Sequence, residues 1–454
     1  MKIVRDLVHG YIELNDDDIR IIDTPHFQRL KRIRQMGFYS AYPCANHTRF
    51  EHSLGVMHLG IKALNAVKIL DHKSITDSLE KTVRYACLLH DVGHAPFSHI
   101  GERFYYKEDL IRLVTAELKI INPSTKFCGK GAPNHELCSC YVILKHYRKI
   151  LDTLNVDLEL LCRMIVGEKY GKVTKKIQDS LISILNSNAD VDKLDFVLRD
   201  SQMSGAKLVA LDTDRLVSTY MFHNGDLAFS GKALSTVSNL IYGRDAVYNW
   251  IVNHHTSIYT NCIFERLIKN TIETNEERKK LFSHDAIMNN LIDDFDLISF
   301  IRTKKEKIPY CKELYDDLFN RKYFKTLWKT KFEYDRVIQT KNNQDKLKEK
   351  VKQFENSLEE LEQIIFEKHS TKFSKGDFFI CLAKFKPFTP VAGKEIYLVI
   401  DKKEEHFHDV FNEGIYKQPI SELPFIFVRN EQIKNDFINL LNNPDEITSW
   451  DPPD

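Results

Sequence analysis

Apolar residues recur at three- and four-residue steps through most of the first 278 positions, as in "IRIIDTPHFQRLKRI", "LGVMHLGIKALNAVKIL" and "LISILNSNADVDKLDFVLRD". That period gathers them on one face of an α-helix, so the stretch from about Asp16 to Arg278 is expected to be mostly helical. One interruption, "STYMFHNGDLAFSG", sets Asn224-Gly225 between two β-prone runs and predicts a hairpin. Residues 279 to 370 keep the helical period but are more strongly charged. Within them Leu347, Val351, Phe354, Leu358, Leu361 and Ile365 form a heptad stripe under three heptads long. A stripe that short fits packing on a neighbouring helix better than a free coiled coil. After Phe373 the texture changes: "DFFICLAKF", "EIYLVID" and "LPFIFVR" read as strands, and the amphipathic "EQIKNDFINLLNN" follows them. The expected fold class is therefore mainly α. It comprises a helical core over 1–278, a charged helical segment over 279–370 packed on that core, and a smaller α+β lobe over 371–454.

Length and charge narrow the function. At 454 residues the chain is too long for one compact core, yet no repeat and no Gly/Ser-rich or Pro-rich linker separates its parts. The formal net charge is +1, with 65 Lys and Arg against 64 Asp and Glu. No global field draws such a chain to nucleic acid or to a membrane, so an anionic ligand must be held by a local site. The basic runs "KKEKIPYCKE" and "KLKEKVKQ" contain interleaved acids and read as solvated helical faces. Nine cysteines without a CxxC pair argue against a disulfide framework and a structural zinc ribbon. Cys138 and Cys140, two apart in "NHELCSCYVIL", point to different faces of a helix and are not read as zinc ligands. "KIVRDLVHGYIEL", directly after Met1, lacks the regions of a secretory signal, and no apolar run approaches membrane-spanning length. The expected location is the cytoplasm.

Seven of the 18 histidines fall between His47 and His99. In "YACLLHDVGH" a buried helix is expected to deliver His90 and Asp91 at its last turn, after which Gly93 and Pro96 redirect the chain. A carboxylate buried beside imidazoles calls for a compensating cation, so the His-Asp pair is best explained as two ligands of one metal ion. "NHTRFEHSLGVMHLG" supplies His52 at the start of an amphipathic helix, with Arg49 three residues earlier. "NADVDKLDFVLRD" supplies Asp192 with Lys193 beside it, and Phe196 and Asp200 follow at one and two turns on the same face. Imidazole and carboxylate together suit Fe, Mn, Ni or Zn, and Mg when waters complete the shell. A metal next to Arg49 and Lys193 makes a cationic pocket suited to a phosphate ester, whose oxygens gain charge as the bond breaks.

"HTRFEHSLG", "LLHDVGHAPFSH", "NHE" and "DVDKLDFVLRD", in this order and spacing, resemble the HD-domain phosphohydrolases. The resemblance is to the branch of the bacterial dGTPases and the sterile-alpha-motif-and-HD-domain dNTP triphosphohydrolases. It runs from about Val4 to Lys269 and includes "RDLVHGYIEL" and "IIDTPHFQRLKRIRQMG". It implies a metal held by His52, His90, Asp91 and Asp192, and phosphate contact and proton transfer by His94, His99 and His135. Acid and base are unassigned among these three, and Glu136 is a candidate to orient one of them. Arg49 and Lys193 are implied as phosphate clamps, Gln35 and Asp200 as partners of the sugar 3′-hydroxyl, and Arg244 as a further contact. Arg244, Tyr248 and Val252 share one helical face as a pocket wall. The implied reaction is hydrolysis of a dNTP to deoxynucleoside and triphosphate by water attack on the α-phosphorus, in a homodimer or homotetramer. Mg accompanying the substrate phosphates is a further expectation.

Two positions depart from the dNTP-specific pattern. Phe196 and Val252 stand where those relatives carry tyrosines, the second of which leaves no room for a 2′-hydroxyl. Asp23, Gln28 and Lys31 fall where relatives bind a regulatory guanine nucleotide, although Arg5 replaces an asparagine there. The alternatives are a phosphohydrolase or phosphodiesterase for other nucleotides (monophosphates, ribonucleoside triphosphates, cyclic or oligonucleotides), and a nucleotide-sensing module without turnover. His9, His254 and His255 are expected to serve local structure.

Overall fold

The computed structural model describes residues 1–38, 41–70, 74–106, 109–384, 396–400, 403–410 and 422–451. The fold is mainly α, with a smaller C-terminal α+β part. Its central element is the helix Arg49–Leu70, on which Asp77–Leu89 and Val191–Ser204 both pack. From His52 to Met57 this helix is buried on every side, so it is amphipathic only in its second half. It is a core helix because its neighbours cover it from several directions.

The helices begin where local chemistry places their caps. The Thr76 side chain accepts from Leu79 N to start Asp77–Leu89, and Asp190 accepts from Lys193 N to start Val191–Ser204. Gly205, in the left-handed region, ends the latter.

Nine strands are described. β1 (Lys2–Asp6) and β2 (Gly10–Leu14) form an antiparallel hairpin against the Arg49–Leu70 helix, an element absent from the sequence reading. β3 (Tyr220–His223) and β4 (Asp226–Ser230) pair antiparallel about Asn224-Gly225, the hairpin that the dipeptide predicted. The remaining strands are β5 (Lys325–Thr326), β6 (Phe378–Lys384), β7 (Tyr397–Ile400), β8 (Lys403–His406) and β9 (Glu422–Val428). The three strand-like runs near the C-terminus do form strands but do not share one sheet. β6 and β9 pair with each other in the order β5-β9-β6, whereas β7 joins β4 in the order β3-β4-β7-β8. The ends of two of those runs, Phe385, Glu395 and Asp401, lie outside the described residues.

The heptad stripe is also corrected. It crosses two helices, Lys341–Gln353 and Leu358–Lys368, separated by a turn at Phe354–Ser357. Leu347, Val351, Phe354, Leu361 and Ile365 are nonetheless buried. Apolar period alone cannot detect a break of a few residues when both helices face the same core.

Candidate active site

A cavity of about 750 Å³ opens where the three central helices meet the Asn134–Val142 helix and the segment from Arg244 to Glu265. Gln35, Arg49, His90, Asp91, His94, His99, His135, Asp192, Lys193, Phe196, Asp200 and Arg244 all line it. His52, fully buried, sits behind Asp91 and Asp192. The structure thus brings together every side chain singled out for a metal, phosphate or sugar role.

The Asp77–Leu89 helix ends just before His90. His90 Nδ1 donates to the Cys87 carbonyl at 2.9 Å, which leaves Nε2 as the lone-pair atom. His52 Nδ1 is likewise engaged, 2.7 Å from Asp195 Oδ2. One ligand atom each of His52, His90 and Asp192 lies within 4.8 Å of the other two. Asp91 closes the ring, with Oδ2 3.7 Å from His52 Nε2 and Oδ1 3.5 Å from His90 Nε2. Neither imidazole Nε2 has a hydrogen-bond partner among the described residues, although Asp192 Oδ1 is only 2.9 Å from that of His52. Two buried lone pairs facing two carboxylates are the arrangement a divalent cation satisfies, and the N₂O₂ donor set suits a first-row transition metal.

The electrostatics agree. Burial pulls the His52 imidazole down, yet Asp192 and Asp195 outweigh it and raise its pKa to about 10. Burial raises the Asp91 carboxyl, but Arg49, His90 and His94 hold it well below the usual range. The carboxylates that would keep a proton on His52 are the same groups that would favour a cation in its place.

Gly93 serves a different purpose from the one expected. Its φ is ordinary, but a Cβ there would lie 2.2 Å from Ser139 N and 2.7 Å from the His135 carbonyl oxygen. Only glycine lets the loop after His90-Asp91 close on the helix that carries His135. Beyond it Phe97 and Ser98 adopt φ values of 57° and 52°, a strained left-handed pair for non-glycine residues. Asp294 holds this turn through Phe97 N (2.6 Å) and Arg34 N (2.9 Å), and Ser98 Oγ donates to the Arg34 carbonyl at 2.6 Å. Arg49 Nε in turn donates to Ser98 Oγ at 3.0 Å.

The outer histidines form a second cluster. His94 and His135 stack with centroids 4.1 Å apart. Burial, with Arg49 and His135 nearby, keeps the pKa of His94 well below its usual value. His99 and His135 both turn Nδ1 to Glu102: His99 at 3.0 Å from Oε2, His135 in a short contact with Oε1. Burial alone would raise the Glu102 carboxyl, but these imidazoles hold it below the carboxylate range. Glu102 is therefore a carboxylate that orients the pair, and Glu136, the expected candidate, lines the cavity.

The expected clamp is less cationic than its side chains imply. Arg49 Nη1 donates to Asp91 Oδ2 at 2.8 Å, and Lys193 Nζ to Asp190 Oδ2 at 2.6 Å. Asp190 therefore caps a helix and positions its lysine at once. At the far end, Asp200 Oδ1 faces His47 Nε2 at 2.8 Å, and Gln35 Oε1 is buried without a partner among the described residues. Arg244 lies over the Tyr248 ring at 4.9 Å, and Tyr248 meets Phe196 edge to face. From Tyr248 to Val252 the helix widens into a π-turn, so the regular four-residue spacing expected for this wall is lost, although Arg244, Tyr248 and Val252 all still line the cavity. Asp23, Gln28, Lys31 and Arg5 do not line it; Lys31 Nζ lies 4.5 Å above the Phe50 ring.

Asp195, Glu102, His47, Asp190 and Asp294 went unread in the sequence. Asp195 and Asp190 stand inside the "NADVDKLDFVLRD" motif and Glu102 one turn after His99, so helical spacing carried a signal for them. His47 and Asp294 offered none. His9, assigned to local structure, instead lies 2.6 Å from Asp195.

Comparison with known proteins agrees with this geometry. Residues 49–127 match the HD domain model and 211–365 the HD associated region. The chain thus carries the HD domain of metal-dependent phosphohydrolases. It is 27% identical over 466 residues to the deoxynucleoside triphosphate triphosphohydrolase SAMHD1 homolog of Dictyostelium discoideum, covering 97% of this chain and 81% of that protein. It is 48% identical over 222 residues to mouse deoxynucleoside triphosphate triphosphohydrolase SAMHD1, which is 45% of this chain and only 32% of that protein. The crystal structure of a hypothetical protein from Aquifex aeolicus shares the fold, with a TM-score of 0.62 at 22% identity over 96% of this chain and 99% of that one. Among the described residues no helix is long and apolar enough to cross a membrane.

Proposed function

We propose that this protein hydrolyses deoxynucleoside triphosphates to deoxynucleoside and triphosphate, by attack of water on the α-phosphorus. The observation that carries the reading is one cavity in which the His52, His90, Asp91 and Asp192 cradle faces Arg49, Lys193 and the Glu102-held imidazoles. Those four residues would hold one divalent ion, which supplies Lewis-acid charge at the phosphoryl group. The names of the relatives from Dictyostelium and mouse favour a deoxynucleoside triphosphate as the substrate.

Arg49 and Lys193 would bind the phosphate oxygens, each pre-oriented by its carboxylate. His99 and His135 have Nδ1 committed to Glu102, so each offers Nε2 to hold or deliver a proton at the water or at the leaving oxygen. His94, kept neutral, can hydrogen-bond phosphate without taking the proton. Gln35 and Asp200 would receive the sugar hydroxyl. Phe196 and Tyr248 would face the sugar ring, with Val252, 37% exposed, at the edge of the same wall. A regulatory guanine nucleotide at Asp23, Gln28 and Lys31, and a dimer or tetramer, belong to the same proposal.

Protein loaded with Mn or Fe should release nucleoside and tripolyphosphate from a dNTP panel. Absence of both products, with and without added GTP or dGTP, would reject the reading. Release of orthophosphate or a 5′-monophosphate would select another phosphoester substrate. A parallel NTP panel tests whether Phe196 and Val252 exclude the 2′-hydroxyl.

A further inference from the structure

We propose that His9, at the tip of the N-terminal hairpin, is a positioning residue for the metal ligand His52, acting through the Asp195 carboxylate. This rests on reading His52 as a metal ligand. The His9, Asp195 and His52 side chains are 4%, 0% and 0% exposed. Arg199 pairs with both Asp195 oxygens, so the carboxylate is the acceptor and both imidazoles donate to it. His9 Nε2 donates to Oδ1 at 2.6 Å and His52 Nδ1 to Oδ2 at 2.7 Å. Arg199 adds Nη2 to Oδ1 and Nε to Oδ2, both at 2.9 Å. Four donors saturate the carboxylate, fix its plane, and leave the lone pair of His52 on Nε2, facing Asp192.

Arg199 sits one turn along the same helix as Asp195 and moves with it. Besides His52 itself, His9 is the donor that comes from another element, and its own position is set by Asp6. The Asp6 carboxylate accepts from Val8 N at 2.9 Å, His9 N at 2.8 Å and Arg199 Nη1 at 2.8 Å. The hairpin tip is thus tied twice to the Val191–Ser204 helix. The opposing helix makes room for the arrangement: a Cβ at Gly55, one turn after His52, would lie 1.9 Å from Asp195 Oδ1. Neither His9 nor Asp195 falls within the ranges matched by the family models.

The full-length protein, stripped of metal and titrated with Co(II), tests this through affinity and the visible spectrum of the bound ion. His9→Ala and His9→Phe, the second keeping the ring volume, are each expected to weaken Co(II) binding by roughly 10- to 100-fold and to shift its visible bands. His9→Gln restores a side-chain N–H and should recover most of the affinity. Leu7→Ala, exposed at the same turn, should match the wild type. Wild-type affinity and spectrum in His9→Ala and His9→Phe would overturn the proposal. So would equal loss in His9→Gln and His9→Ala, which would mark a packing role. A wild type that binds Co(II), depends on His9 and turns over no nucleotide rejects the proposed reaction alone; one that binds no Co(II) overturns both.

Discussion

The two sides of the cavity use histidine in opposite ways. On the inner side, His52 is fully buried, with Nδ1 committed to Asp195 and Nε2 facing Asp91 and Asp192. On the outer side, His99 is 70% exposed and shares one carboxylate, Glu102, with His135. Burial with Nδ1 held by a partner fixes an imidazole in one orientation, because any rotation leaves an unpaired polar group out of water. Exposure with one carboxylate partner keeps an imidazole oriented while its second nitrogen can still exchange protons.

That contrast can be broken from either side. The His90→Ala/Asp91→Ala variant removes half of the inner cradle and should lose both bound metal, read by elemental analysis, and all turnover. A variant that stays fully active would refute the ligand assignment. Glu102→Gln attacks the outer side alone. It should lower kcat by about 10²- to 10⁴-fold, the range of a general acid or base, with metal content unchanged; loss of metal as well would erase the distinction. Chelation sharpens the inner side: at a metal concentration 100 times its Kd, binding to the folded state alone stabilises it by about 2.7 kcal/mol. The melting temperature should therefore fall on chelation in the wild type and stay put in His90→Ala/Asp91→Ala.

The smallest effect concerns the turn joining the two sides. Burial pushes the Asp294 carboxyl up to about 7 against the N–H groups of Phe97 and Arg34. The folded chain then takes up a proton there that the unfolded chain releases near pH 4. This contribution to stability is complete below pH 4 and is lost as pH rises through 7, with a slope of at most about 1.4 kcal/mol per pH unit. Asp294→Asn should flatten the melting temperature between about pH 4 and 7; an unchanged profile would assign the slope to other groups.

Much of the inner side was legible in the chain. His90 and Asp91 are adjacent and end a helix, while Asp192 and Lys193 start another, so local spacing placed their side chains. Glu102 lies one turn after His99 yet serves His135 too, across 33 residues, which no spacing rule connects. The heptad stripe misled for the same reason in reverse: an apolar period persisted through a turn because both flanking helices face one core.

By itself, the sequence determined the helical texture, the hairpin at Asn224-Gly225 and the placement of His90-Asp91 and Asp192-Lys193 at helix ends, because each depends on residues within about one helical turn. Only the tertiary structure decided how β6, β7 and β9 divide between two sheets, that Asp294 braces the strained turn at Phe97-Ser98, and that the hairpin tip reaches Asp195. Those are single polar contacts or strand pairings between distant segments. They arise where packed elements happen to bring buried donors and acceptors together, and such pairs leave no periodic trace along the chain.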